Sequence, residues 1–217
     1  MNIAVILSGC GNRDGSELQE SLSLLLALDR RGWNVQCFAP CGFFDVVSHT
    51  DGFETGEQRD ILEEAARIAR GNIRDLTEYE AEAFDALCLP GGMGAARNLS
   101  TYAFDGENMQ VLPEVQNAII ETHSLNHPIC AMCIAPMVLA AVLGPYDVRI
   151  TLGGPCAAAD VAKKLGADVM NCGPTEVCVD AANKVLTTPA YMVESRISNI
   201  FDGAENMVQA LESMLLA

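Results

Sequence analysis

Met132-Cys133-Ile134-Ala135-Pro136 places a cysteine between a run that reads as a strand, Pro128 to Met132, and one that reads as a helix, Ile134 to Leu143. A chain that passes from strand to helix across one residue forces that residue into a sharp turn and sets its side chain at a helix N-terminus. Unpaired N–H groups and the helix dipole favour a thiolate there, so Cys133 is the expected nucleophile. Pro136 fits the first helical turn, where no intrahelical partner is lost. Pro90-Gly91-Gly92-Met93-Gly94 follows an apolar strand, Phe84 to Leu89, expected to neighbour the Cys133 strand. Gly91, Gly92 and Met93, with Ile134 beside the cysteine, are therefore the expected oxyanion and binding residues. Glu17 and Glu20 lie in the first turns of the helix after the first strand and suit proton transfer. A spacing of three puts both on similar faces and leaves open which one meets the sulfur.

Other residue types are set aside on position. Cys130 and Cys133 spell Cys-x-x-Cys, but Cys130 falls inside the expected strand and reads as buried. No second Cys-x-x-Cys or nearby histidine completes four ligands for zinc, and the chemistry above needs no metal or organic cofactor. His123 and His127 precede the Cys133 strand and belong at the opposite sheet edge. His49, in a loop after the second strand, can reach the cysteine's edge, and Cys10 stands in the first glycine-rich loop; both are secondary candidates.

Strands and helices alternate along the chain. Strands are expected at Asn2–Ser8, Val35–Ala39, Phe84–Leu89, Pro128–Met132, Val148–Leu152, near Val169, at Glu176–Val179 and at Val185–Thr188, with a hairpin turn at Asp180–Asn183. Helices are expected from an N-cap at Ser16 to Gly32 with Leu18, Leu22, Leu25, Leu26 and Ala27 as the apolar face, then at Glu57–Arg70, Val111–Leu125, Ile134–Leu143, Ala157–Leu165 and Val193–Leu216. Thr77 and Glu80 have capping-box spacing. Strands apolar on both faces argue a three-layer α/β sandwich, a mostly parallel sheet with helices on both sides, in a single domain over 1–217. Sites in such sheets form at the carboxyl ends of strands, where the loops above gather.

At 217 residues and −16 net charge the chain is long enough for a full core and too acidic for nucleic acid or an anionic membrane. Its longest apolar stretch, Ile134 to Leu143, falls well short of the ~20 residues of a membrane span. Nine cysteines with irregular spacing read as reduced thiols, and with no targeting signal ahead of the first strand the expected location is cytoplasmic, or an organelle after processing.

Six ordered motifs resemble the ThiJ/PfpI superfamily and, within it, the ElbB family (enhancing lycopene biosynthesis protein 2, or isoprenoid biosynthesis glyoxalase). They are Val5-Ile6-Leu7-Ser8-Gly9-Cys10-Gly11, Asp14-Gly15-Ser16-Glu17, Glu64 to Gly71, Pro90 to Ser100, Met132 to Pro136 and Thr187 to Met192. The family usually has an aromatic at Met93, a lysine at Arg97 and a histidine at Gln19, and Gly153 to Ala159 also diverges. The resemblance implies a glutamine-amidotransferase-like (flavodoxin-like) sandwich with a nucleophile elbow, a homodimer, and a link to isoprenoid biosynthesis. It also implies a glutathione-independent glyoxalase that converts small 2-oxoaldehydes such as methylglyoxal. No histidine follows His127, so the His-x-Glu of amidotransferase triads is missing and glutamine hydrolysis is not expected. Two readings stand: an aldehyde-converting enzyme using Cys133, Glu17 and Glu20, and a regulatory protein in which Cys133 senses oxidation.

Overall fold

The computed structural model describes residues 1–193 and 196–217. Runs without charged side chains become strands that are almost wholly buried. These are β1 (Asn2–Ile6), which is buried after its first residue, β6 (Ala86–Leu89), β7 (Ile129–Met132) and β11 (Val185–Thr188). With β2 (Asn34–Ala39), β5 (Ile73–Asp75) and β10 (Cys178–Asp180) they form a seven-stranded sheet in the order β10-β11-β7-β6-β1-β2-β5. Every pairing is parallel except β10 with β11, which closes the expected hairpin. Helix α1 (Leu18–Asp29) packs on α8 (Ile197–Leu215), and α5 (Pro113–Ser124) packs on α6 (Pro136–Leu143). The result is the expected three-layer α/β sandwich. The accessible surface is 9479 Å², against about 9,700 Å² expected for this mass. No helix among the described residues is long and apolar enough to cross a membrane.

Several local expectations are corrected. The segment expected to open a helix at Glu57 is a strand, β4 (Glu54–Asp60), paired with β3 (Phe43–Val47) in a separate ribbon. Helix α2 (Ile61–Ala69) starts only after Asp60, whose carboxylate accepts the Glu63 N–H at 2.9 Å and caps it. The strand expected near Val169 is β9 (Asp168–Met170), which pairs in parallel with β8 (Arg149–Thr151) outside the main sheet. Asp75, not Thr77, caps the short turn there, so the Thr77–Glu80 box is not formed. Part of the expected closing helix falls on residues 194–195, outside the described residues. The apolar face of α8 (Ile200, Ala204, Met207, Val208, Leu211) is core.

The largest correction concerns α1. Leu18, Leu22 and Leu26 are 42, 53 and 42 % exposed, whereas Leu24, Ala27 and Leu28 are fully buried. Leucines occur all round this helix, so hydrophobic spacing selects no face. Glu20, at i relative to Leu24, Ala27 and Leu28, shares their inward face and is 0 % exposed. Ser16 is not the cap either. Glu17 caps α1 through its own carboxylate, which accepts the Glu20 N–H at 2.7 Å, while the Ser16 hydroxyl accepts the Ser8 N–H at 2.8 Å.

Candidate active site

Cys133 follows β7 directly and has φ +60, a left-handed backbone on a residue other than glycine. Its N–H donates to the Thr188 carbonyl at 3.0 Å at the end of neighbouring β11. Conformations of this kind cost of the order of 1–3 kcal/mol and persist where the surroundings impose them. The elbow expected from the sequence is present, and it aims the sulfur at the carboxyl ends of β1, β6 and β11. The sulfur meets the N–H groups of Gly92 and Ile134 and hydrogen-bonds with the Glu20 carboxyl group.

Glu20 is thereby identified as the glutamate against the sulfur. Its Oε2 accepts the Gly91 N–H at 2.9 Å and its Oε1 accepts the Tyr191 N–H at 3.3 Å. Burial, and then the charge of Glu17, push its carboxyl group up to about 7. Burial, and then the negative charge of Glu20, hold the Cys133 thiol well above its ordinary value, with the Gly92 and Ile134 N–H groups pulling the other way. The thiolate expected from the helix terminus is thus corrected: at 8 % exposure, desolvation and the neighbouring carboxylate outweigh the dipole. Glu17 is half-buried, and burial raises it too.

A group whose folded pKa is raised from 4.5 to about 7 favours the fold below pH 4.5 and loses that contribution as pH rises through 7. The gap amounts to about 3 kcal/mol. Wild-type Tm is therefore expected to fall by roughly 6–12 °C more than that of Glu20→Gln between about pH 5 and pH 8. Thermal melts of both proteins across that range, followed by circular dichroism, check it; parallel curves would refute the buried carboxyl assignment.

The glycine turn is built by contact. A Cβ on Gly91 would lie 2.3 Å from the Cys133 Cβ and 2.5 Å from Glu20 Oε2, and Gly92 has φ +98 with Glu17 N and Gly15 O each 2.3 Å from its Cβ position. One expected donor is corrected: the Met93 N–H donates to the Asn12 carbonyl at 2.9 Å, and the Gly91 N–H is committed to Glu20. The donors left at the sulfur are those of Gly92 and Ile134.

Above Cys133 opens a cavity of about 640 Å³. Glu17, Gln19, Asn12, Gly92, Met93, Ile134, Tyr191 and Met192 line it with the cysteine. Tyr191 was not expected at the site. Its N–H holds Glu20, and its hydroxyl donates to the Gln19 side-chain oxygen. Its signal was present in Thr187-Thr188-Pro189-Ala190-Tyr191-Met192, a loop at the carboxyl end of a strand beside β7. His49 and Cys10 are not brought to Cys133; both line a second cavity. Cys130 is buried inside β7 opposite Cys88 of β6, as its position required. His123 lies 3.2 Å from Asn183, away from the site. Among the described residues no group of three or more His, Cys, Asp or Glu side chains is placed to hold a metal ion.

No family model matches the chain. It is 43% identical over 216 residues to the Homo sapiens glutamine amidotransferase-like class 1 domain-containing protein 3, mitochondrial, an alignment covering 95% of this chain and 81% of the relative. The crystal structure of an isoprenoid biosynthesis protein with an amidotransferase-like domain from Ehrlichia chaffeensis superposes with a TM-score of 0.91 at 38% identity, over 98% of this chain and 99% of that one. A ThiJ/PfpI domain protein from Brachyspira murdochii shares the fold, with a TM-score of 0.62 at 14% identity over 98% of this chain and 96% of that one. The chain therefore has the ThiJ/PfpI fold and belongs to the family of its human and Ehrlichia chaffeensis relatives, proteins with a class I glutamine amidotransferase-like domain.

Proposed function

We propose that the protein converts small 2-oxoaldehydes such as methylglyoxal to 2-hydroxy acids without glutathione. The observation that carries this is the Cys133 sulfur hydrogen-bonded to buried Glu20 on a cavity whose wall includes the second carboxylate, Glu17. Glu20 serves the sulfur and Glu17 the substrate carbons. As Sγ bonds to the aldehyde carbon, the thiol proton passes to the Glu20 carboxylate. The N–H groups of Gly92 and Ile134 are the donors nearest the resulting oxyanion. Return of the proton to that oxygen gives a hemithioacetal. Glu17 then removes the proton from the former aldehyde carbon while a water protonates the ketone oxygen, giving an enediol, and returns its proton to the second carbon as the first carbon's hydroxyl gives its proton back to the hydroxide. The product is a thioester. Water splits its carbon–sulfur bond, releasing the 2-hydroxy acid and restoring the thiol. One carbon is oxidised and its neighbour reduced, so the sequence consumes only water.

The sensor reading requires an exposed thiolate of low pKa. Cys133 is 8 % exposed with its thiol held up, which favours the enzyme. A role linked to isoprenoid biosynthesis follows from likeness to the Ehrlichia chaffeensis protein. Assembly as a homodimer would cover the exposed Leu18, Leu22 and Leu26 of α1. Nine free cysteines suit a reducing compartment, the cytoplasm as first expected or the mitochondrion for which the human relative is named.

Lactate formation from methylglyoxal without glutathione tests the central claim. Wild type is expected to turn over, and Cys133→Ser, matched for fold by circular dichroism, to lose at least about a thousandfold. Equal rates in the two proteins, or wild type no faster than buffer, would end the proposal.

A further inference from the structure

The cavity above Cys133 has a chemical character that the reaction at the sulfur does not use. In the strand order β11-β7-β6 the elbow stands between two loops. On one side the glycine turn after β6 presents Met93, and on the other the turn after β11 presents Tyr191 and Met192, with Ile134 beside the sulfur between them. Met93 and Tyr191 are 38 and 37 % exposed, large apolar surfaces left uncovered at the cavity. The Tyr191 ring is tethered at both ends, by its N–H to Glu20 and by its hydroxyl to Gln19. A tethered ring offers a ready face for offset stacking. Methionine is unbranched and polarisable, adapts to what it covers and contacts aromatic rings favourably.

The charges facing this space have one sign. Glu17 lines it, and burial, then the charges of Glu17 and Glu20, raise the Tyr191 phenol. Among the described residues no lysine, arginine or histidine lines the cavity. The arginines nearest in sequence to Asn12 and Met93 are turned elsewhere: the Arg13 guanidinium lies against Gly52, and Arg97 pairs with Glu54 at 2.9 Å. An anionic group on a ligand would meet carboxylates and no counter-ion, which selects against it. Size points the same way. The volume of about 640 Å³ falls within the roughly 300–1,000 Å³ of pockets that hold drug-sized ligands. Methylglyoxal, with a single methyl beyond its two carbonyls, leaves most of that space to water.

We propose that this cavity selects uncharged ligands bearing an apolar substituent of aryl size, seated between Met93 on one side and Tyr191 and Met192 on the other. Resting on the aldehyde chemistry proposed above, this makes aryl-substituted 2-oxoaldehydes better substrates than methylglyoxal or than oxoaldehydes that carry a carboxylate or phosphate.

Binding and turnover are measured separately, so that the two readings fail separately. Binding uses ketones without the aldehyde, namely acetophenone, acetone and 4-acetylbenzoate, titrated into the full chain near neutral pH and followed by calorimetry and amide chemical shifts. Acetophenone is expected to saturate a site whose shifts centre on residues 92–93, 133–134 and 190–192. It is expected to bind at least about tenfold more tightly than either of the others. Met192→Ser is expected to weaken acetophenone about fivefold. Met93→Lys changes a side chain that is 38 % exposed, so it keeps the test alive if Met192→Ser fails to fold. It is expected to raise the affinity for 4-acetylbenzoate relative to acetophenone about tenfold, a change that lost packing alone would not produce. Turnover compares phenylglyoxal with methylglyoxal. The ratio of their kcat/KM values is expected to be about ten or more in wild type and to fall about fivefold in Met192→Ser, and a ratio taken within one protein cancels changes at the sulfur. If acetophenone binds as expected while neither aldehyde is turned over, the aldehyde chemistry fails and the apolar site stands. Equal affinity for the three ketones, shifts centred elsewhere, or ligand preferences unchanged in both variants would overturn the proposal.

Discussion

Glu20→Gln is expected to lower kcat/KM for methylglyoxal about 10²–10⁴-fold at neutral pH. In the wild type the thiol is held protonated by burial and by the neighbouring carboxylate, so the addition step depends on Glu20 accepting its proton. That requires Glu20 ionised. With its carboxyl group at about 7, activity should fall as pH drops below that value and level off above it. An amide cannot accept the proton, so the variant should show activity only where the thiol ionises unaided, which burial places far into the alkaline range. Rate profiles of both proteins from about pH 5.5 to pH 9.5 decide the matter. If the variant keeps a wild-type rise near pH 7, Glu20 is not the base. Glu17→Gln, at the cavity wall, should lose rate and move that rise to lower pH, because the Glu17 charge is one of the two causes that raise Glu20.

Gly91→Ala should remove activity and destabilise the fold together. The added Cβ would lie 2.3 Å from the Cys133 Cβ, 2.5 Å from Glu20 Oε2 and 2.9 Å from the Met132 carbonyl oxygen. None of these is the free end of a flexible chain: β6 and β7 are adjacent strands, and Glu20 is pinned by two N–H groups. Relief requires moving the elbow away from the glycine turn, at a cost of about 3 kcal/mol or more in urea unfolding. Gly32→Ala is the control, since a Cβ there meets nothing within 4 Å and only its φ of +64 opposes the change. About 1–2 kcal/mol is expected for it, with activity intact. Similar losses in both variants would mean that backbone conformation, not the close approach, explains Gly91.

The parts of this site that were legible in the sequence are those dictated by chain continuity. A strand with no loop before the next helix leaves Cys133 one place to go, and the Gly91-Gly92 turn follows a strand whose apolar run requires burial beside β7. The choice between Glu17 and Glu20 was not legible, because it depends on how α1 rotates against the sheet and leucines surround that helix. The protonation of Cys133 was misread because the helix terminus is visible in the sequence and the desolvation is not. The ribbon of β3 and β4 escaped because most of β4 is exposed and polar, so no buried face imprints a period of two on it. His49 stands at the expected edge of the sheet, yet its contacts with the Val47 carbonyl and the Arg13 N–H keep it on the far side of the first loop.

That loop has a thermodynamic consequence. Cys10, Gly11 and Asp14 face one cavity while Asn12, Glu17 and Gln19 face the other, all within a single turn-rich segment. The Asn98 side chain clamps it through the Ser8 and Asp14 carbonyls at 2.8 and 2.7 Å. The segment is shared, so a displacement of it moves the walls of both cavities. A substitution that displaces the segment from the far side, at Gly11 for example, is therefore expected to change aldehyde affinity at Cys133 although it touches no residue of that cavity.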